Sequence, residues 1–239
     1  MIEIDNLTVM FGGVRGLNAL TATLPETVTG LVGPNGAGKT TLINVLSGFV
    51  RPAGGSVTID GENLDGIVVH KRAAFGIRRT FQNEQVVENL TVADNIAAVL
   101  DNVPTDGQPR RRLIDKALDF VGLSSRGHAM GRDLNAYDRR MVEIARATVG
   151  RPRLVMMDEP GAGLSQDESE HLRSVIRSLH DYCGAQVLLV DHDVDLISAT
   201  CVATLVLDFG SQIAYGPTAA VLADPRVRAA YLGVVEEAE

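Results

Sequence analysis

Residues 33–40 read GPNGAGKT, and this octapeptide has the spacing that a phosphate-binding loop requires. It follows the apolar segment TVTGLV and precedes TLINVLSGF, in which apolar residues recur on one helical face. Glycines let backbone N–H groups wrap phosphates, the lysine reaches the β- and γ-phosphates, and the hydroxyl after it can ligate Mg²⁺. The motif therefore predicts a nucleoside triphosphate site. Its predicted binding residues are Gly33, Pro34, Asn35, Gly36, Ala37, Gly38, Lys39, Thr40 and Thr41.

An acidic pair stands at the end of a second apolar segment, LVMMDEP at residues 154–160. Open α/β sheets bind their ligands at the carboxyl ends of strands, which is where Asp158 and Glu159 would lie. We predict that Asp158 contributes to Mg²⁺ binding and that Glu159 acts as the base that polarises an attacking water. By itself such a pair is typical of a turn or a helix cap. The phosphate loop upstream favours the catalytic interpretation.

A histidine follows the next apolar segment, QVLLV, in the sequence VDHDVDL. A single histidine beside two aspartates is usually a surface or capping residue. Its position after a strand that follows the phosphate loop and the acidic pair makes His192 a candidate catalytic residue.

The elements that must position these residues form an α/β pattern interrupted by helices. The first third alternates as strands, which predicts a small N-terminal antiparallel sheet, and FGIRRTFQ predicts a strand that ends at Gln82. Helical periodicity follows, with capping-box positions at Thr91 and Asp94 and a helix predicted over DRRMVEIARATVG. Strands then alternate with helices again: a Ser165/Glu168 capping box begins one helix, and VATLVLDFGSQIAYG predicts a closing hairpin. We predict one domain over 1–239, with an α/β nucleotide-binding core formed by 1–84 and 151–239. An inserted helical subdomain is predicted over 85–150.

Composition restricts the class of protein. The chain has 239 residues, 45% of them hydrophobic, and a net charge of −8. Its apolar runs are strand-sized and too short for a membrane span, and its first residues have no secretory signal pattern, so we expect a cytosolic protein. The acidic balance argues against a nucleic-acid partner, which would need a basic surface.

Several motifs, taken in order, resemble the nucleotide-binding subunits of ABC transporters, and most closely the branched-chain amino acid importer branch. They are GPNGAGKTTLINVLSGF, RTFQ, EIARA, MMDEPGAGL, VDHDVDL and the closing AYLG at residues 230–233. The resemblance implies a P-loop ABC-type ATPase fold that requires ATP and Mg²⁺.

The resemblance also implies roles for individual residues. Phe11 occupies the position of an aromatic that stacks on adenine, although an ordinary edge-strand aromatic would look the same. Gln82 matches a glutamine that contacts Mg²⁺ and the attacking water and senses the membrane subunit. Glu159 matches the catalytic base, and His192 matches the histidine that steadies the γ-phosphate. Thr40, Gln82 and Asp158 are the implied Mg²⁺ residues.

The chain departs from the family where the signature Leu-Ser-Gly-Gly-Gln is expected. Leu134, Asn135, Ala136, Tyr137 and Asp138 occupy that segment, which contains no glycine. In the family this segment begins a helix that presents backbone N–H groups to the nucleotide of the opposite subunit. We expect the tyrosine ring to obstruct that approach, because it replaces a glycine that can adopt positive φ. We also expect Asp138 to direct a negative charge towards the phosphate.

The implied function is ATP hydrolysis that powers import of branched-chain or related amino acids through integral-membrane permease subunits. Because the signature acts in trans, its degeneracy favours a heterodimer with a second ATP-binding subunit over a homodimer. The membrane contact is expected near NEQVVENL, residues 83–90, on a subunit bound peripherally at the cytoplasmic face. Two alternatives stay open: a regulatory subunit that binds ATP with little hydrolysis, and an ABC ATPase for another cargo such as urea, an amide or a lipid.

Overall fold

The computed structural model describes residues 1–232, with side chains through residue 230. The last residue of the closing motif, Gly233, and the acidic tail lie outside the described residues. The chain divides into two compact units. Unit 1 comprises residues 1–69 and those from 188 onward, and unit 2 comprises residues 70–187.

Unit 1 begins with a four-stranded antiparallel sheet, in the order β2-β1-β4-β5. Its strands are β1 (Ile2–Phe11), β2 (Val14–Leu24), β4 (Gly54–Ile59) and β5 (Glu62–Asn63). Buried residues alternate on each side of a register shift in β1, Ile2 with Ile4 and Leu7 with Val9, because successive side chains of a strand point to opposite faces. The predicted N-terminal antiparallel sheet is confirmed.

The rest of unit 1 places the phosphate loop between a strand and a helix. Strand β3 (Val28–Val32) is buried throughout, pairs in parallel with β9 (Ala203–Asp208), and leads through the loop into α1 (Lys39–Ser47). Strand β10 (Ser211–Pro217) forms the predicted hairpin with β9. Helix α1 ends at Gly48 with φ 81°, a left-handed conformation that glycine adopts without strain. Three further short helices are α7 (Val194–Thr200), α8 (Thr218–Ala223) and α9 (Pro225–Val227).

Unit 2 contains the parallel pair β6 (Ile77–Arg79) and β7 (Leu154–Asp158) together with most of the helices. These are α2 (Val69–Phe75, which begins in unit 1), α3 (Val92–Ala97), α4 (Arg110–Phe120), α5 (Ala136–Thr148) and α6 (Gln166–Cys183). Strand β8 (Gln186–Val190) begins in unit 2 and ends in unit 1. Helices α3, α4 and α5 lie within the range predicted to be a helical subdomain, whose bounds stay a prediction.

The helix caps are those that the sequence predicts. Thr91 accepts a hydrogen bond from the backbone N–H of Asp94, and Ser165 forms a complete capping box with Glu168. Of the described residues, none belongs to a helix that is both long and apolar enough to cross a bilayer.

Two predicted element bounds are wrong. Strand β6 ends at Arg79 and Gln82 follows in a bend, because the parallel pairing with β7 ends where Arg79 meets Met156. The helix predicted over DRRMVEIARATVG begins two residues earlier than Asp138, at Ala136, because Asn135 caps it. Signature residues 136–138 are therefore the first turn of α5.

Candidate functional site

The phosphate loop of unit 1 is shaped by glycines that no other residue could replace without a clash. A Cβ atom on Gly33 would lie 2.1 Å from the carbonyl oxygen of Leu207, and the φ of this glycine is 148°. A Cβ on Gly38, at φ 105°, would lie 2.7 Å from the carbonyl oxygen of Gly16. The N–H of Gly210 donates to the carbonyl of Ala37 at 2.9 Å. The loop is thus held against β2 and the β9–β10 turn in a conformation that requires glycine.

Helix α1 starts at a residue that has no capping side chain. Its N-cap is Gly38, which offers no side-chain acceptor to the N–H groups of the first turn. The ammonium group of Lys39 donates to the carbonyl oxygens of Gly33 and Pro34, at 2.5 and 3.0 Å. A positive helix terminus and a lysine held over the same loop form an anion-binding arrangement.

Phe11 stands at the end of β1 with its ring half exposed, 51% of the residue being accessible. The ring lies against Gly16, where an added Cβ would approach ring atom Cε2 to 2.8 Å. A half-exposed aromatic face beside a residue without a side chain can accept a stacked heterocycle.

The segment after β8 joins a buried aspartate to an exposed histidine. Asp191 is 2% exposed, and its Oδ1 accepts from the backbone N–H of Asp193 at 3.0 Å. His192 Nδ1 lies 3.8 Å from the same Oδ1, while the histidine side chain is 71% exposed. The buried carboxylate therefore anchors the start of α7, whose N-cap is Asp193, and leaves the imidazole at the surface of unit 1.

In unit 2 the structure brings Gln82 and Glu159 together. Nε2 of Gln82 donates to Oε2 of Glu159 at 2.7 Å. Glu159 has φ 50°, a left-handed conformation that is uncommon for residues other than glycine. Backbone strain of this kind costs on the order of 1–3 kcal/mol and is concentrated at functional sites. Glu159 directly follows β7, and the orientation of its carboxylate thus depends on an unfavourable backbone conformation.

Asp158 is also engaged, since its Oδ2 accepts from the Arg79 guanidinium at 2.9 Å. The two side chains are 15% and 12% exposed, which makes this a largely buried ion pair between β7 and β6. The hydroxyl of Thr40, the amide oxygen of Gln82 and the carboxylate of Asp158 are hard oxygen donors, the kind that Mg²⁺ prefers. The donor chemistry therefore fits the ion that the sequence predicts.

The signature segment forms the N-terminus of α5. Oδ1 of Asn135 accepts from the backbone N–H of Asp138 at 2.7 Å, in the geometry of an N-cap. The structure does not require positive φ at this position, because Ala136 and Tyr137 have ordinary helical backbones. No glycine is needed for the path of this helix start.

Tyr137 turns towards α6 and is anchored there. Its hydroxyl shares a hydrogen bond with Nδ1 of His171. Burial, followed by the nearby charges of Glu168 and Asp138, raises the pKa of Tyr137 to about 12, so the phenol stays neutral at physiological pH. The ring is fixed by α6 and also lines a cavity described below.

The carboxylate of Asp138 is paired with an arginine. Its Oδ2 lies 3.0 Å from the guanidinium of Arg126, and the Asp138 side chain is only 12% exposed. The positive charge of Arg126 weakens the field that Asp138 directs towards a ligand.

A cavity of about 200 Å³ opens beside the start of α5. It is lined by Asn135, Ala136, Tyr137, Arg140, Ala162, Gly163, Leu164 and Glu168. Hydrogen bonds from the backbone N–H and then the hydroxyl of Ser165 lower the pKa of Glu168, so this carboxylate is ionised at neutral pH. The negative charge that faces the signature segment thus comes from Glu168.

Sequence reasoning missed a set of charged residues on α5 that contact the residues after Gln82. They are Arg140, Glu143 and Arg146, and they meet Glu84 and Gln85. The detectable signal was their spacing, because three charges recur every third residue along a largely apolar part of the helix.

Comparison with known proteins gives family matches over most of the chain. Residues 17–162 match the family described as ABC transporter. Residues 211–237 match a family described as branched-chain amino acid ATP-binding cassette transporter.

Curated relatives align over nearly the whole length. The high-affinity branched-chain amino acid transport ATP-binding protein BraF of Pseudomonas aeruginosa is 36% identical over 249 residues, covering 98% of this chain and 98% of BraF. The lipopolysaccharide export system ATP-binding protein LptB of Haemophilus influenzae is 35% identical over 235 residues, covering 98% and 97%.

Among solved structures, the ADP conformation of MJ1267, an ATP-binding cassette of an ABC transporter, superposes with a TM-score of 0.83. It is 27% identical, and the match covers 98% of this chain and 99% of that one. The predicted α/β fold with an N-terminal antiparallel sheet and inserted helices is confirmed by this likeness.

Proposed function

The chain belongs to the ABC transporters, as an ATP-binding subunit with ATPase activity, and we propose that it powers import of branched-chain or related amino acids through a membrane permease. The proposed cargo rests on the match of residues 211–237 to the branched-chain amino acid cassette family, together with the full-length similarity to BraF. The subunit would act peripherally at the cytoplasmic face of the membrane.

The proposed catalytic roles follow the geometry within each unit. In unit 1, the loop from Gly33 to Thr41 and the start of α1 would hold the phosphates, with Lys39 as their cation and Phe11 stacked on the adenine. His192 would hydrogen-bond the terminal phosphate from the anchored turn at Asp191. In unit 2, Glu159 would accept the proton of the attacking water.

Gln82 would orient the carboxylate of Glu159, the proposed base. Its bond to Glu159 uses the amide nitrogen, so the amide oxygen is the atom that would face the ion or the water. Mg²⁺, when bound, would neutralise charge that develops on the transferred phosphoryl group. Thr40, Gln82 and Asp158 are the residues proposed to hold it.

We further propose that the chain works in an asymmetric pair with a second ATP-binding subunit. The segment at residues 134–138 lacks glycine, and the cavity beside it is lined by Tyr137 and by the ionised Glu168. Both features disfavour close approach of a triphosphate, although the neighbouring Arg140 partly offsets the charge. An intact phosphate loop and Glu159 on the same chain would be complemented by the signature of a different partner.

A transport assay tests this function. Cells in which the gene is deleted are expected to lose uptake of labelled leucine, isoleucine and valine, and the wild-type gene is expected to restore it. A gene with Lys39→Ala should fail to restore uptake, because the cation of the phosphate loop is lost. Unchanged uptake in the deleted cells would contradict the proposed cargo.

The similarity to LptB supports a second candidate, an ABC ATPase that serves a lipid or another cargo such as urea or an amide. Cargo is selected by subunits other than this one, so the same ATPase chemistry fits each of them. Loss of urea uptake, or accumulation of a lipid in the deleted cells, with normal amino acid uptake, would favour this candidate.

The third candidate is a regulatory subunit that binds ATP with little hydrolysis. Its support is the degenerate signature, and the Gln82–Glu159 pair argues against it, since a subunit without hydrolysis does not need an oriented base. Uptake restored by a gene with Glu159→Gln would favour this candidate.

A further inference from the structure

Arg140 is a buried arginine on α5 whose guanidinium reaches two separate segments of unit 2. The residue is 6% exposed. Its Nη1 donates to the carbonyl oxygens of Pro160 and Ala162, the latter at 3.1 Å, and its Nη2 donates to Oε1 of Glu84 at 2.6 Å. One acceptor segment begins directly after Glu159, and the other begins two residues after Gln82.

Two further residues of α5 hold the second of these segments. Oε1 of Glu143 accepts from the backbone N–H of Gln85 at 2.8 Å, and Arg146 donates to the carbonyl oxygen of Gln85. Residues three apart on a helix lie on one face, so the three side chains form a ridge along α5. We call Arg140, Glu143 and Arg146 the α5 ridge.

The ridge satisfies both backbone groups of Gln85 and the carboxylate of Glu84. A loop whose backbone polar groups are bonded to side chains of a packed helix cannot shift without losing these bonds. Hydrogen bonds in which one partner is charged are stronger than those between neutral groups. The segment after Gln82 is therefore tied to α5, the helix that begins at the signature residues.

We propose that Arg140 is a positioning residue for ATP hydrolysis, which ties the residues after Gln82 and those after Glu159 to helix α5. This inference rests on the proposed catalytic roles of Gln82 and Glu159. The Gln82–Glu159 hydrogen bond joins residues that precede the two tied segments in sequence, so a displacement of either segment would strain it. A shift at residues 83–90, where a permease contact is proposed, would then reach the base and the start of α5 together.

Amide hydrogen exchange of the full-length chain tests the tie without relying on activity. Arg140→Met keeps an aliphatic side chain of similar reach and removes every donor. We expect exchange to rise about tenfold or more at residues 84–86 and also at the amides of residues 161 and 162, because the lost bonds to a charged group lower the cost of local opening. Arg112→Met, which removes an exposed arginine of α4, is the matched control and should leave both segments unchanged.

Steady-state ATP hydrolysis distinguishes positioning from general destabilisation. Arg140→Met should lower kcat about ten- to a hundredfold with little change in the KM for ATP, since misplaced catalytic groups lose rate while the phosphate loop of unit 1 is untouched. Arg140→Lys should recover part of the rate, because one ammonium can reach some of the three acceptors.

The exchange result decides the inference even if the proposed function fails. If folded Arg140→Met shows unchanged exchange, or a rise in only one of the two segments, the inference is overturned, because Arg140 would then not join the two segments. If Arg140→Met does not fold, Glu84→Ala replaces it: faster exchange at residues 84–86 supports the tie and wild-type exchange overturns it. A wild-type chain without ATP hydrolysis would refute the function, and exchange would still report on the tie.

Discussion

At the scale of single residues, the side chains proposed to do chemistry are held by bonds that fix their orientation. Glu159 combines a left-handed backbone with a hydrogen bond from Gln82, and Lys39 is bonded to two carbonyls of its own loop. Asp158 is paired with Arg79. Preorganised groups of this kind lower the cost of reaching the transition state, because little reorganisation is needed during the reaction.

Replacement of the base tests the role of Glu159. Glu159→Gln keeps an acceptor oxygen for Gln82 but cannot take a proton, so we expect kcat to fall by about 10²–10⁴ while ATP binding is retained. ATP affinity by calorimetry and phosphate release by a coupled assay measure the two effects. Glu170→Gln, an exposed carboxylate on α6, is the control, and equal rates for the two variants would contradict the assignment.

Glu143 should make stability depend on pH. Burial raises the pKa of Glu143 above its ordinary 4.5, although N–H groups of Gln85 and Phe81 oppose this rise. Its protonated form is favoured in the folded chain, so this contribution is fully present below pH 4.5 and is lost as the pH rises through the raised pKa. A tenfold difference in proton affinity between the folded and unfolded chain corresponds to about 1.4 kcal/mol of stability.

Glu143→Gln removes that titration. We expect the variant to gain free energy of unfolding relative to the wild type as the pH rises above 4.5, and to match it more closely below. Urea unfolding of both proteins from acid to neutral pH measures the difference. A difference that does not vary with pH would show that this carboxyl group has the same pKa in the folded and unfolded chain.

At the scale of elements, helix α5 combines three structural features. Its N-terminus is the signature segment, its next turns present the α5 ridge, and residues such as Met141 and Ile144 are fully buried in unit 2. The N-cap fixes where this helix begins and therefore which residue of LNAYD stands at its start.

Loss of the cap tests that arrangement. Asn135→Ala removes the acceptor for the N–H of Asp138 and should destabilise the chain by about 1 kcal/mol, whereas Asn135→Ser, another good cap, should lose much less. Chemical denaturation of the two variants measures the contrast. Equal stabilities would indicate that the side chain of residue 135 does not hold the start of α5.

At the scale of the whole molecule, the proposed asymmetric pair predicts how the isolated chain behaves. We expect slow ATP hydrolysis by the purified chain, because the signature offered to a second copy is degenerate. Tyr137→Gly with Asp138→Gln should raise the rate and make it depend on chain concentration, as a composite site formed by two chains requires.

Tyr137→Phe is the control for that experiment, since it removes the bond to His171 but keeps the ring in the cavity. Its rate should stay low. A wild-type chain that already hydrolyses ATP rapidly, with no gain from the double substitution, would mean that LNAYD suffices and that a homodimer is competent.

The sequence by itself determined the local features, because these depend on residues close together in the chain. The glycine loop between a strand and a helix, the caps at Thr91 and Ser165, and the alternating strands of the first sheet are all encoded within short segments. Their spacing also predicted the fold.

Only the tertiary structure decided which distant side chains meet. It paired Asp138 with Arg126 and Tyr137 with His171, and so changed the expected effect of both signature residues. It also joined Arg140 to Glu84 and to the residues after Glu159. Such contacts depend on how helices and strands pack, and periodicity gives the face of a helix but not the residue that lies opposite it.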